Sequence, residues 1–277
     1  MTILFVSLLV IVCIVLFQSP GTPRPFLDET GKRLPGSLSE KIKVNINGVE
    51  QGMFIKSKND RNPVLLYLHG GMPDYFLTER YPTGLEEEFT VVWWEQRDSG
   101  MSYIPDVPPE TVNPAQLVSD TVEMTNYLRK SFRQEKIYLM GHSGGTFIGI
   151  QAAAIAPDLY HAYIAVAQMS NQLESERLAY EFMLKRFKED GNAQMVRSLE
   201  ASPVRDELPL PDAYVKVRDV AMHDLGVGTT HDMKSIVTGV LLRSLLNREY
   251  TLSEKIGTWR AKLFPATAFG MSNFPRI

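Results

Sequence analysis

Ser143 stands between glycines in Gly141-His142-Ser143-Gly144-Gly145, the G-x-S-x-G spacing that most plainly invites chemistry in this chain. An apolar run, Ile137 to Met140, precedes it as a buried strand, and Phe147 to Ala156 follows as a small-residue helix. Strand, sharp turn and helix together make a nucleophile elbow, in which the turn strains the serine backbone and lifts its hydroxyl above the sheet. At Gly141 and Gly145 a Cβ would run into the strand and helix that cross there. The backbone N–H of Gly144, at the helix start, is placed to hold a developing oxyanion. Such five-residue patterns arise by chance in many chains, and the flanking strand and helix are what give this one meaning. A dinucleotide loop, G-x-G-x-x-G, is excluded because it needs glycine where Ser143 stands.

A serine hydroxyl without a base is a poor nucleophile at neutral pH, so the histidines decide how far the motif goes. His223-Asp224 and His231-Asp232 are adjacent pairs, a combination common on solvated surfaces. His142 is the chain neighbour of Ser143, and neighbours at an elbow point in different directions. His69 belongs to a loop after a strand, and His161 opens one. None reads as the base. Trp93-Trp94 reads as strand core rather than a substrate platform.

The elements that must hold Ser143 follow from hydrophobic patterning. Lys41 to Asn47 alternates, Asn47-Gly48 is a hairpin turn, and Gln51 to Ser57 returns as a second strand. Val64 to Leu68 and Thr90 to Trp94 are continuous apolar strands, and His161 to Ala167 is another. Asn113-Pro114 starts a helix running to about Arg133, with Leu117, Thr121, Met124 and Leu128 on one face. Buried strands alternating with helices imply a mostly parallel sheet covered on both faces. From Leu173 the segments 173–189, 193–199, 213–225, 232–246 and 253–263 all pattern as helices, which implies an all-helical cap. The expected organisation is a core over 41–172 and a cap with the end of the chain over 173–277.

Before the core, residues 2–17 are uninterrupted by charge and span about 24 Å as a helix. We expect a single membrane anchor over 1–18, or an uncleaved signal, although a signal would want a basic start and small residues before a cleavage site. Arg24, Lys32 and Arg33 follow the segment, a thin basis for orientation, so the side of the membrane stays open. Residues 19–40 carry four prolines and three glycines and read as a linker.

Composition narrows the field. The 277 residues are 44% hydrophobic and 22% charged, as in an ordinary globular protein. A net charge of −3, with no basic run, leaves no footprint for nucleic acid. The single Cys13 allows neither an internal disulfide nor a thiolate metal site, and nothing implies a metal or an organic cofactor.

The order His69-Gly-Gly, Glu95-Gln-Arg-Asp-Ser-Gly100, Gly141-His-Ser-Gly-Gly and then a run of helices resembles the α/β-hydrolase fold. Within that fold it is most similar to the prolyl iminopeptidase branch of the serine aminopeptidases. The resemblance implies acyl transfer to Ser143 from a small or short-peptide substrate. It also implies an oxyanion hole of Gly144 N–H with the N–H of Gly71 or its neighbour Met72. Glu174 and Glu176, at the start of the cap, would bind the substrate's free amine, as acidic cap residues do in such aminopeptidases. A first helical turn favoured by the macrodipole is the plainer account of both. The chain departs from the family at two places. Gly71 runs into Met72-Pro73-Asp74 where the family reads H-G-G-P-G, and Asp98 stands where the family prefers glycine. The triad acid and base follow the serine in this fold, on loops after strands beyond the cap. We expect them past Ile277, with the C-terminal strands missing. A carboxylesterase on the same fold is the alternative, and a truncated chain inactive for want of its acid and base is another.

Overall fold

The structure, a computed structural model, describes residues 2–105, 108–205, 210–228, 230, 233 and 235–263. The chain forms two units, one of Met1–Met169 together with the segment from Ser244, the other of Ser170–Arg243.

The first unit is built on six strands: β1 Leu38–Ile46, β2 Val49–Ser57, β3 Val64–Leu68, β4 Thr90–Trp94, β5 Ile137–His142 and β6 Tyr160–Val166. They form one sheet in the order β1-β2-β4-β3-β5-β6. The β1–β2 and β2–β4 pairs are antiparallel; β3 pairs in parallel with β4 and β5, and β5 with β6. The opening hairpin turns at Asn47 and Gly48, both at positive φ, the twist that suits a two-residue connection. Every residue of β3 and β4 is buried, which is why these strands read as unbroken apolar runs. The expected strands all form, with ends shifted by up to three residues.

Helices α1 Thr2–Phe17, α2 Leu85–Glu88, α3 Pro114–Phe132 and α4 Gly144–Ile155 accompany the sheet. Asn113 caps α3 by accepting from the Gln116 N–H at 2.9 Å, Pro114 takes the first turn, and Arg133 ends the helix in the left-handed region. Leu117, Thr121, Met124 and Leu128 are buried, as their spacing requires.

The membrane segment expected over residues 2–17 is not supported, and with it go the anchored localisation and the membrane partner. Helix α1 has 16 residues, about 24 Å against a hydrocarbon core of about 30 Å. Among the described residues no helix is long and apolar enough to cross a membrane. Cys13 is exposed on this helix.

Residues 19–37 and the segment from Ser244 are tied to the sheet by buried polar contacts rather than left as spacers. Helix α5 (Gln172–Glu189), α6 (Ala193–Ala201) and α7 (Asp212–Asp224) precede α8 (Leu242–Leu246) and α9 (Leu252–Leu263) along the chain. Just before α9, Glu249 accepts from Lys56 Nζ of β2 at 2.9 Å and from the Tyr75 hydroxyl. Lys56 also donates to the Arg24 carbonyl and Ser39 Oγ. Both side chains of the Lys56–Glu249 pair are only 6% exposed. Burial pulls the Lys56 ammonium below its usual pKa, with Glu249 opposing. Lys255 of α9, also buried, donates to the carbonyls of Gln18 and Leu245 and to Ser19 Oγ.

The second unit is helical among its described residues. Helices α5, α6 and α7 bury Met183, Phe187, Leu199 and Ala221 against one another, with Tyr180, Met195, Val196 and Val217 around them. This matches the all-helical character expected from the sequence, whereas α9 groups with the sheet.

Removing one partner from a buried pair leaves the other charge without compensation. Glu249→Ala is therefore expected to lower unfolding stability by about 3–5 kcal/mol, read from chemical denaturation of the two proteins side by side.

Candidate active site

Ser143 lies at the junction of β5 and α4 with φ 52° and ψ −121°, a left-handed backbone that few side-chain-bearing residues adopt. Such a conformation costs of order 1–3 kcal/mol and persists only where the surroundings enforce it. Here they do. The Ser143 N–H donates to the Val166 carbonyl of β6 at 2.9 Å, and its carbonyl accepts from the Thr146 N–H and hydroxyl. Thr146 Oγ1 in turn accepts from the Met169 N–H. Close packing explains the flanking glycines. A Cβ on Gly145 would collide with the Leu68 carbonyl oxygen, and one on Gly141 would fall 2.8 Å from Thr146 Cα. Gly149, one helical turn on, lies against Tyr163 and Leu68 in the same way. Gly144 and Gly145 open α4, so their N–H groups precede any carbonyl partner within the helix.

The loop after β3, His69 to Asp74, comes against the serine at Gly70. A Cβ on Gly70 would sit 2.9 Å from Ser143 Cβ and 3.3 Å from its Oγ. His69 is a brace. Its Nε2 accepts from the Gln96 N–H, so the ring proton is on Nδ1, which donates to the Gly70 carbonyl at 2.9 Å. Complete burial lowers its pKa and keeps it neutral. The Gln96 amide returns a hydrogen bond to the His69 carbonyl.

The rest of the Glu95–Gly100 turn is equally structural. The buried Glu95 carboxylate accepts from the Met101 N–H and the Tyr250 hydroxyl, and burial pushes its pKa up to about 8. Gly100 is required because a Cβ would strike that carboxylate. Arg97 makes a two-pronged ion pair with fully buried Asp120 at 2.7 and 3.0 Å. Asp98 has φ 58°, which accounts for glycine at this place in the family: Asp is one of the few other residues tolerated there. Its Oδ1 is buried without a hydrogen-bond partner, and burial raises its pKa to about 6.

The other histidines are distributed as follows. His161 lines an open hollow of about 660 Å³ with Arg61, Pro63, Gln134, Glu135 and Lys136. These residues sit where β3, β5 and β6 begin, whereas Ser143 follows the end of β5, so His161 is at the wrong end of the sheet. His142 Nδ1 is 3.2 Å from Asp74 Oδ2, and the same oxygen accepts from the Tyr67 hydroxyl at 2.8 Å. The contact with Asp74 raises the His142 pKa against the opposing effect of burial. His223 lies in the last turn of α7 in the second unit; His231 and Asp232 lie outside the described residues. Among the described residues no group of three His, Cys, Asp or Glu side chains could hold a metal ion.

In the second unit, Glu174 and Glu176 both have arginine partners. Glu174 is exposed and pairs with Arg177. Glu176 is buried, and its carboxylate accepts from Arg218 at 2.6 Å, Tyr214 at 2.9 Å and Gln172 at 2.7 Å. Part of this was legible in helical spacing, since Gln172 lies four residues before Glu176 and Arg177 three after Glu174, whereas Tyr214 and Arg218 meet Glu176 across 38 and 42 positions.

A family model described as alpha/beta hydrolase fold matches residues 63–211, more than half of the chain. The chain belongs to the α/β-hydrolase fold family. It is 33% identical over 147 residues to a probable aminopeptidase, YbaC, of Bacillus subtilis (strain 168), a match covering 52% of this chain and 46% of that protein. The chain thus spans about half the length of the curated relative it matches. Among solved structures, a proline iminopeptidase-related protein of Thermus thermophilus is 26% identical, with 52% of this chain and 50% of that chain covered and a TM-score of 0.44. An epoxide hydrolase from metagenomes of hot environments covers 84% of this chain and 72% of its own at 16% identity, with a TM-score of 0.47.

Two stability changes test this geometry. Gly145→Ala should destabilise the fold by about 1–3 kcal/mol in denaturant titration, because the added methyl meets backbone that cannot withdraw. Asp98 has a folded pKa raised above its unfolded value, so its favourable contribution is present below about pH 4 and lost as pH rises through about 6. Asp98→Asn should therefore raise the Tm by roughly 2–4 °C at pH 7.5, with the gap closing toward pH 4.

Proposed function

We propose that this protein is a serine hydrolase that transfers an acyl group through Ser143, with an aminopeptidase of the prolyl iminopeptidase kind as the leading reading. The observation that carries it is the strained backbone of Ser143, set at the start of a helix with Gly70 packed directly on it and with Gly141 and Gly145 letting strand, helix and loop approach closely. A serine needed only for structure would gain nothing from a positive φ that glycine adopts at less cost. Support for the peptidase branch comes from the His69-Gly-Gly and Glu95–Gly100 elements and from the likeness to the probable aminopeptidase.

In this reading Ser143 Oγ attacks the acyl carbon of a short peptide, and a histidine base takes the hydroxyl proton. The carbonyl oxygen becomes an oxyanion held by Gly144 N–H and the N–H of Gly71 or Met72. Collapse of the tetrahedral adduct breaks the bond to the leaving amine, which receives the proton, and water then releases the acyl group from Ser143. His69 and His161 are poor candidates for the base because of their surroundings. Serine at the elbow argues against epoxide hydrolysis, which on this fold uses aspartate there.

A carboxylesterase is the second reading, and one observation favours it. The arginine partners of Glu174 and Glu176 leave neither carboxylate as an evident receptor for a free amine. The discriminating assay sets a proline p-nitroanilide against a p-nitrophenyl ester. The aminopeptidase reading expects turnover of the anilide, abolished in Ser143→Ala; ester turnover alone supports the esterase. Equal rates for wild type and Ser143→Ala on both substrates would overturn the nucleophile assignment.

A further inference from the structure

The contact between His142 and Asp74 joins two segments that the proposed chemistry needs in register. One is the elbow, whose serine follows His142 directly. The other is the loop from His69 to Asp74, which carries the amides of Gly71 and Met72. At its near end this loop is held by His69, which accepts from the Gln96 N–H while its carbonyl accepts from the Gln96 side chain. At its far end the holds are Asp74 to His142 at 3.2 Å and Asp74 to the Tyr67 hydroxyl of β3 at 2.8 Å. Between these ends Gly70 rests on Ser143 with no room for a side chain.

We propose that Asp74 and His142 are a positioning pair that clamps the His69–Asp74 loop to the elbow and so fixes the Gly71 and Met72 amides against Ser143. The inference rests on the reading of Ser143 as nucleophile for its purpose, but not for its existence. A histidine paired with an aspartate is also what a catalytic triad uses. Here, however, the histidine is the serine's own chain neighbour at a strand end, where successive side chains project to opposite faces. The pair therefore acts on backbone amides, not on the hydroxyl proton. His142 and Asp74 are half-buried, with side-chain exposures of 33% and 17%, so the contact is partly shielded from solvent. The groups facing the ring are Asp74, with Tyr67 on the same carboxylate oxygen, and His69 behind the loop. Asp74 favours the imidazolium, so the clamp is charge-assisted below the raised pKa of His142 and weakens as pH rises through it.

The test uses the whole chain and two readouts that need no turnover: the NMR titration of His142, and hydrogen exchange at the amides of Gly71 and Met72. In the wild type His142 should titrate above about 6.5. In Asp74→Ala its pKa should fall to about 6.5 or lower, and exchange at Gly71 and Met72 should quicken about tenfold with the Tm of the remainder retained. His142→Asn places an amide nitrogen near the Nδ1 position, able to donate to Asp74, and should keep exchange close to the wild-type rate at every pH. If Asp74→Ala fails to fold, Asp74→Asn removes the charge at constant shape, and the fall in the His142 pKa remains the decisive readout. A wild-type His142 that titrates at or below its ordinary value, or loop exchange indifferent to Asp74→Ala, would overturn the proposal. Failure of the wild type to turn over any substrate would count against the nucleophile reading alone, since neither readout passes through Ser143.

Discussion

The left-handed backbone of Ser143 is the constraint on which the rest of the first unit depends. A chain can leave a buried strand and enter a helix at φ 52° only if strand, helix and neighbouring loop approach within backbone distance. That approach requires glycine at 141, 145 and 149 of the elbow and at 70 of the adjoining loop, because each would otherwise place a Cβ within 3 Å of another atom. The strain is balanced by hydrogen bonds from Ser143 to Val166 and Thr146, which also fix the end of β6. One residue's dihedral angle thus determines the composition of three segments.

A second layer of polar contacts keeps those segments in place. The Glu95–Gly100 turn contributes no evident chemistry, yet each of its first three residues supports a different neighbour. Glu95 reaches Tyr250, Gln96 holds His69, and Arg97 grips Asp120. These groups are buried, so their hydrogen bonds must be complete, and a missing partner would be more damaging than a missing apolar contact. Asp98 is the exception, with one oxygen left without a partner in a position the family prefers to give to glycine.

How much of this was legible depended on whether the signal was local. The strands β3, β4 and β5, the Asn47-Gly48 turn, the Asn113 cap and the elbow glycines all follow from patterns a few residues long, and the structure has them. The helical character of the second unit followed in the same way. Three features were not legible because they are made by residues far apart in the chain. Asp74 meets His142 across 68 positions, Glu249 meets Lys56 across 193, and Gly70 packs directly on Ser143. The apolar N-terminal stretch misled for a different reason. Its composition is that of a lipid-facing helix, but 16 residues are too few at about 1.5 Å each. Glu174 and Glu176 suggested amine binding although Arg177, three residues after Glu174 on one helix, was a legible partner; Arg218, 42 positions from Glu176, was not.

Catalysis through Ser143 requires that its Oγ attack with an oxyanion site formed around it. The most direct measurement is a crystal structure of the protein after reaction with an aminoalkyl phosphonate ester that mimics an N-terminal proline. The predicted result is a covalent bond from Ser143 Oγ to phosphorus, with the phosphoryl oxygen within hydrogen-bonding distance of Gly144 N–H and of Gly71 or Met72 N–H. A folded protein carrying no adduct, or an adduct whose phosphoryl oxygen faces solvent, would contradict it.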